Sequence, residues 1–141
     1  MTNVFKFSIL LIVTALIMGK KTSLLSLDKI INDFGWEKRI ILLIADPDEV
    51  NLIGGVESFF KERECENKNR NLILYKIIGD EVAKYEIPKR YEGRRGVWLI
   101  GYDGDEKAYS RDLSLIDQLY DLIDAMPVRQ NEMLRQDTLC D

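Results

Sequence analysis

At 141 residues, 46% hydrophobic and 31% charged, the chain has the make-up of one folded domain rather than a disordered one. A net charge of −4 gives no electrostatic reason to expect nucleic acid or an anionic membrane surface as partner. The absence of histidine removes both the usual general base at neutral pH and the commonest transition-metal ligand.

In chain order, "MTNVFKFSILLIVTALIMGKKTS" comes first and has the layout of a secretory signal. Lys6 supplies the positive start, Phe7 to Met18 form a charge-free apolar run, and Gly19 is a small residue where cleavage fits. The run is short for a membrane span, which needs about 20 apolar residues. Residues 1–19 are therefore expected to be a signal peptide or an N-terminal anchor, and the protein to be periplasmic or secreted. Membrane contact is expected only through an uncleaved N-terminus.

Leu24, Leu27, Ile30, Ile31 and Phe34 recur at helical spacing, and Gly35 is placed to stop that helix. Trp36 precedes a first strand, Arg39 to Ala45, whose unbroken apolar run predicts cover on both faces. In "ADPDEV", Asp46 suits an N-cap and Pro47 a first helical turn, with Asp48 and Glu49 near the positive end of the helix dipole. The apolar stripe Val50, Ile53, Val56, Phe59, Phe60 carries the helix to about Glu64. Gly54-Gly55 within it marks a kink, a late helix start or a close packing contact.

"NLILYKIIG" (71–79) reads as a second strand, so strand, helix and strand form a βαβ unit. Residues 80–91 are ambiguous, with room for a short helix broken at Pro88. Val97 to Tyr102 and Glu106 to Tyr109 flank Asp103-Gly104, a hairpin signal. Ser114 with Asp117 fits a capping box for a last helix carrying Ile116, Leu119, Tyr120, Ile123 and Met126. Pro127 is expected to end it and leave "VRQNEMLRQDTLCD" as a polar tail. A helix, a βαβ unit, a hairpin and a helix predict an α/β fold of thioredoxin-like arrangement over residues 24–134, with 135–141 as tail.

"FGWEKRIILLIADPD", "IIGDEV", "WLIGYDG" and above all "LIDAMPVRQNEM" resemble one family. It is the uncharacterised thioredoxin-like domain of exported bacterial proteins, similar to repeats in vertebrate sushi-repeat and coiled-coil-domain-containing matrix proteins. The resemblance covers about residues 26–134 and implies a thioredoxin-like fold; it implies no particular activity.

A thioredoxin carries its reactive cysteines after the first βαβ strand, where a helix N-terminus lowers the thiolate pKa. Asp46, Pro47, Asp48 and Glu49 stand there instead, and a carboxylate cannot perform thiol–disulfide exchange. Before the hairpin, where a thioredoxin has a cis-proline, the chain has Arg94-Arg95-Gly96. Neither "DPDEVN" nor "DGDEKA" satisfies a calcium loop, so no metal and no cofactor is expected.

Arg94 and Arg95 should lie across the sheet from Asp46, where arginine suits a carboxylate or phosphate. Asp46, Asp48, Arg94 and Arg95 are thus the candidate ligand-binding residues, weighed against simple capping and a surface ion pair. Cys65 and Cys140 both belong at the opposite end of the sheet, so a disulfide between them is the expectation for an exported chain, against two unpaired thiols.

The expected function is a non-redox, non-catalytic binding or scaffolding module whose partner is a protein or a small anionic ligand. The alternative is an enzyme or binder acting on a small anion through Asp46, Asp48, Arg94 and Arg95. A thiol peroxidase working through Cys65 ranks last.

Overall fold

The computed structural model describes residues 23–136 and Cys140. The expected signal or anchor at 1–19 lies outside the described residues. Among the described residues no helix is long and apolar enough to cross a membrane.

The chain forms a mixed α/β fold. A two-residue strand β1 (Leu25–Ser26) leads into helix α1 (Leu27–Asp33). Strand β2 (Arg39–Ala45), helices α2 (Val50–Glu62) and α3 (Glu64–Asn69) and strand β3 (Leu72–Ile78) make the parallel unit. A 3-10 helix (Gly79–Lys84) and a short strand β4 (Tyr85–Glu86) follow, then the hairpin β5 (Gly96–Ile100) and β6 (Glu106–Ser110). Helices α4 (Ser114–Asp124) and α5 (Pro127–Arg135) close the chain. The main sheet has the order β3-β2-β5-β6, with β2 parallel to β3 and antiparallel to β5.

Every residue of β2 is buried, as its unbroken apolar run requires of a central strand covered on both faces. Alternation along it divides the core. Ile41, Leu43 and Ala45 pack with Leu52 and Val56 of α2 and with Leu115, Leu119 and Ile123 of α4. Ile40, Leu42 and Ile44 pack on the other face with Leu27 and Ile31 of α1, Tyr91 and Trp98. Helix α4 buries four apolar side chains, each contributing about 1.5–3 kcal/mol of transfer free energy.

Several local expectations are corrected. Helix α2 begins at Val50, without a side-chain cap, so Asp46 is not its N-cap. Of the three readings of Gly54-Gly55, the close packing contact holds at Gly55, where a Cβ would sit 2.6 Å from Leu113 Cδ1. No capping box forms at Ser114, because Asp112 Oδ1 accepts from Ser114 N–H and Oγ–H ahead of it. Trp36 rather than Gly35 adopts the left-handed conformation after α1, at φ 65°, while its amide donates to Tyr102 O at 2.9 Å. Residues 80–91 contain a strand, β4, which pairs in parallel with β1.

The largest correction is at Pro127. It ends α4, as expected, but it is also the first residue of α5, where a missing N–H costs nothing. The presumed tail is thus a docked helix, and its only buried residue is an arginine, Arg129.

Candidate functional site

The carboxyl edge of β2 runs into a closed polar turn. Asp46 N–H donates to Glu49 Oε2 at 2.8 Å, and Glu49 N–H donates back to Asp46 O at 3.1 Å. Pro47 lies against Gly79, whose φ of 58° and 2.7 Å Cβ clearance to Pro47 Cγ demand glycine. Arg95 Nε donates to Asp46 Oδ1 at 3.0 Å, and Glu49 pairs with Arg111. Asp46 is half exposed, so its pair with Arg95 contributes about 0–1 kcal/mol and serves more to orient than to stabilise.

Of the four candidate residues, the fold brings two together. Asp46 and Arg95 meet as expected. Arg94 turns away: its Nη1 donates to Arg90 O at 2.8 Å, and its guanidinium lies 4.4 Å above the Tyr109 ring and 5.4 Å above Trp98. Asp48 is exposed and makes no ion pair among the described residues.

Beside Arg95 lies a cleft of about 240 Å³ that no sequence signal announced. Ile44 and Tyr91, each 1% exposed, form its floor. Half-buried Val82, Tyr85 and Ile87 form its walls, and Glu92, Gly93 and Arg95 its mouth. The walls come from the stretch that resisted a sequence assignment. Pairing of β4 with β1 pins Tyr85, and the turn Pro88–Arg94, held by Tyr91 N–H to Pro88 O at 2.9 Å, brings Glu92 round to Arg95.

Tyr85 and Tyr75 hydroxyls bond each other at 2.9 Å, and burial followed by that hydrogen bond pushes Tyr75 up to about 12. The buried Tyr91 hydroxyl and Trp98 indole N–H have no hydrogen-bond partner among the described residues. No three His, Cys, Asp or Glu side chains converge to hold a metal ion among those residues.

The opposite edge of the sheet carries a second polar cluster, formed by α5. Arg129 donates from Nε to Asp124 Oδ1 at 3.0 Å and from Nη1 to Asn69 O at 3.0 Å. Arg39, at the start of β2 and 1% exposed, donates to Arg70 O at 2.8 Å and to Glu132 Oε2 at 3.1 Å. Arg70 clamps Asp124 through two nitrogens, at 3.0 and 2.7 Å, a bidentate geometry. Tyr102 hydroxyl donates to Glu132 and accepts from Asn71 Nδ2 at 3.0 Å.

Burial opposes the charged forms of Asp124 and Glu132, but the arginines, and for Glu132 also Tyr102, outweigh it and hold both carboxyls below the usual range. Burial opposes the charge of Arg70 as well, but Asp124 and Glu66 outweigh it and raise its pKa. The stretch "LIDAMPVRQNEM" supplies Asp124, Arg129 and Glu132, so this clamp is what that motif builds. Every charge in it is answered within the protein, and it serves as structure.

At the same edge, Cys65 and Cys140 are bonded to each other, with Cα atoms 5.9 Å apart. No cysteine of the chain is free.

Residues 30–132 match a family model described as "Domain of unknown function (DUF4174)". No curated protein matches the chain.

Proposed function

The chain belongs to the DUF4174 family, and on that premise we propose that it is a non-redox, thioredoxin-like binding module of an exported protein. The thioredoxin-like reading rests on strand order: a central strand parallel to its βαβ partner on one side and antiparallel to a hairpin on the other. The resemblance to repeats of extracellular matrix proteins points the same way, toward binding. Export rests on the signal-like residues 1–19 and would place the protein in the periplasm or outside the cell.

One observation carries the reading. Where a thioredoxin holds its thiols, Asp46 and Glu49 are engaged with Arg95, Arg111 and each other's backbone, and an apolar cleft opens alongside. Both sulfurs are at the other edge in a disulfide, which leaves no thiolate for exchange or for peroxide reduction. The second reading, an enzyme or binder acting on a small anion, draws on Arg95 at the mouth of that cleft.

Insulin reduction with excess dithiothreitol tests the non-redox part, and turnover above the dithiothreitol background overturns it. A thermal-shift screen of small organic ligands tests the binding part, with Arg95→Gln as the control that should lose any stabilisation found.

A further inference from the structure

We infer that the cleft beside Arg95 binds a small α-amino acid with an aliphatic side chain, of the size of valine or leucine. This rests on the reading of the chain as a binding module and names its ligand class.

The inner surface, Ile44, Val82, Tyr85, Ile87 and Tyr91, carries no charge. The Tyr85 hydroxyl is bonded to that of Tyr75, which fixes the ring as part of the wall. A volume of about 240 Å³ equals about eight waters at ~30 Å³ each, which is room for a ligand of the size of valine or leucine.

The mouth is charged with both signs. Glu92 is exposed and makes no ion pair among the described residues. Arg95 uses Nε on Asp46 Oδ1 and Nη1 on Arg94 O, at 3.0 and 3.3 Å, while its Nη2 has no protein acceptor among the described residues.

Each simpler ligand fails against this mouth. A hydrocarbon leaves the guanidinium edge and the Glu92 carboxylate unanswered. A dianion meets Glu92 and the Asp46 carboxylate already paired with Arg95, and a bare cation meets Arg95. An α-amino acid sets its carboxylate on the open edge of Arg95 and its ammonium toward Glu92, and sends its side chain onto Ile44 and Tyr91. The apolar contact supplies affinity, and the paired charges supply orientation.

Isothermal titration calorimetry of the full chain, with its disulfide intact, tests this with four ligands. L-leucine is expected to bind saturably at one site. Three comparators each lack one feature: 4-methylpentanoate the ammonium, isopentylamine the carboxylate, and glycine the side chain. Each should bind about tenfold more weakly or worse. Glu92→Gln and Arg95→Gln should each weaken leucine by about tenfold or more with an unchanged circular dichroism spectrum, since both side chains lie at the surface.

The inference is overturned by absence of leucine binding at millimolar concentration. It is equally overturned by a comparator that binds as tightly as leucine, or by leucine affinity that survives both substitutions. Those failures are separate from failure of the binding-module reading, which falls if the same preparation reduces insulin. A chain inactive on insulin that ignores leucine leaves the module and removes this ligand.

Discussion

Replacing Arg129 with methionine separates a structural clamp from an incidental surface contact. The side chain is 2% exposed and makes hydrogen bonds to Asp124, Asn69 O and Gln136, each at 3.0 Å, and a longer contact to Glu132 at 3.4 Å. Methionine keeps most of the apolar stem and removes the charge. The stranded partners are not left bare: Asp124 retains Arg70, Glu132 retains Arg39 and Tyr102, and Asn69 O retains Gln136 Nε2.

The full penalty of about 3–5 kcal/mol for breaking a buried pair therefore does not apply. Three hydrogen bonds at a net 0.5–1.5 kcal/mol each, partly recovered by the methionine contact, give a loss of about 2–3 kcal/mol at pH 7. Urea unfolding of oxidised wild type and variant, read by circular dichroism, measures it. Asp124 and Glu132 have depressed folded-state pKa values, so their contribution is present above their ordinary values and is lost as pH falls through the folded ones. The gap between variant and wild type should accordingly narrow below about pH 4. A loss under about 1 kcal/mol at pH 7, or a gap that stays constant into acid, would refute the clamp.

Other expectations are more local. Non-reducing mass spectrometry should find no alkylatable thiol, and opening a disulfide that spans 75 residues should cost up to about 4 kcal/mol in the chain-entropy picture, measured by unfolding of Cys65→Ser against wild type. The raised Tyr75 contributes stability that is complete below 10 and is lost as pH climbs toward about 12, so Tyr75→Phe should flatten the alkaline limb of a melting-temperature profile. Gly96→Ala should destabilise by more than about 2 kcal/mol, since φ is 137° and the new Cβ would stand 2.5 Å from Ser110 O; a neutral alanine would show that the strand shifts freely. Trp36→Asn should be neutral or gain up to about 1 kcal/mol, because the ring is 73% exposed and asparagine tolerates the left-handed backbone; a loss above 1 kcal/mol would mean the indole is packed.

Period and composition alone carried the central elements. β2 was legible because Ile40 to Ala45, covered on both faces, form an apolar run that is visible without any partner; only its first residue, Arg39, is buried as a charge. The hairpin was legible in Asp103-Gly104, where Gly104 takes φ 79°. The meeting of Asp46 with Arg95 followed from strand order, since the first strand of the hairpin runs antiparallel to β2 and so enters where β2 ends.

What escaped reading has one physical cause. A side chain's partner across the fold leaves no mark on the residues around it. Asp46 has the composition of a cap, yet the nearer arginine takes it. Arg94 and Arg95 are adjacent and identical in type, and only the path of the connection into β5 sends one to the Tyr109 ring and the other to Asp46. Helix α5 looked like a tail because it buries a charge instead of an apolar stripe, and a buried charge is tolerable only when distant carboxylates and carbonyls are already in place to receive it. The cleft is less visible still, being the space left between a 3-10 helix, a two-residue strand and a turn. Sequence determines which segments must be covered; tertiary structure decides which polar groups end up facing one another, because that depends on packing between residues far apart in the chain.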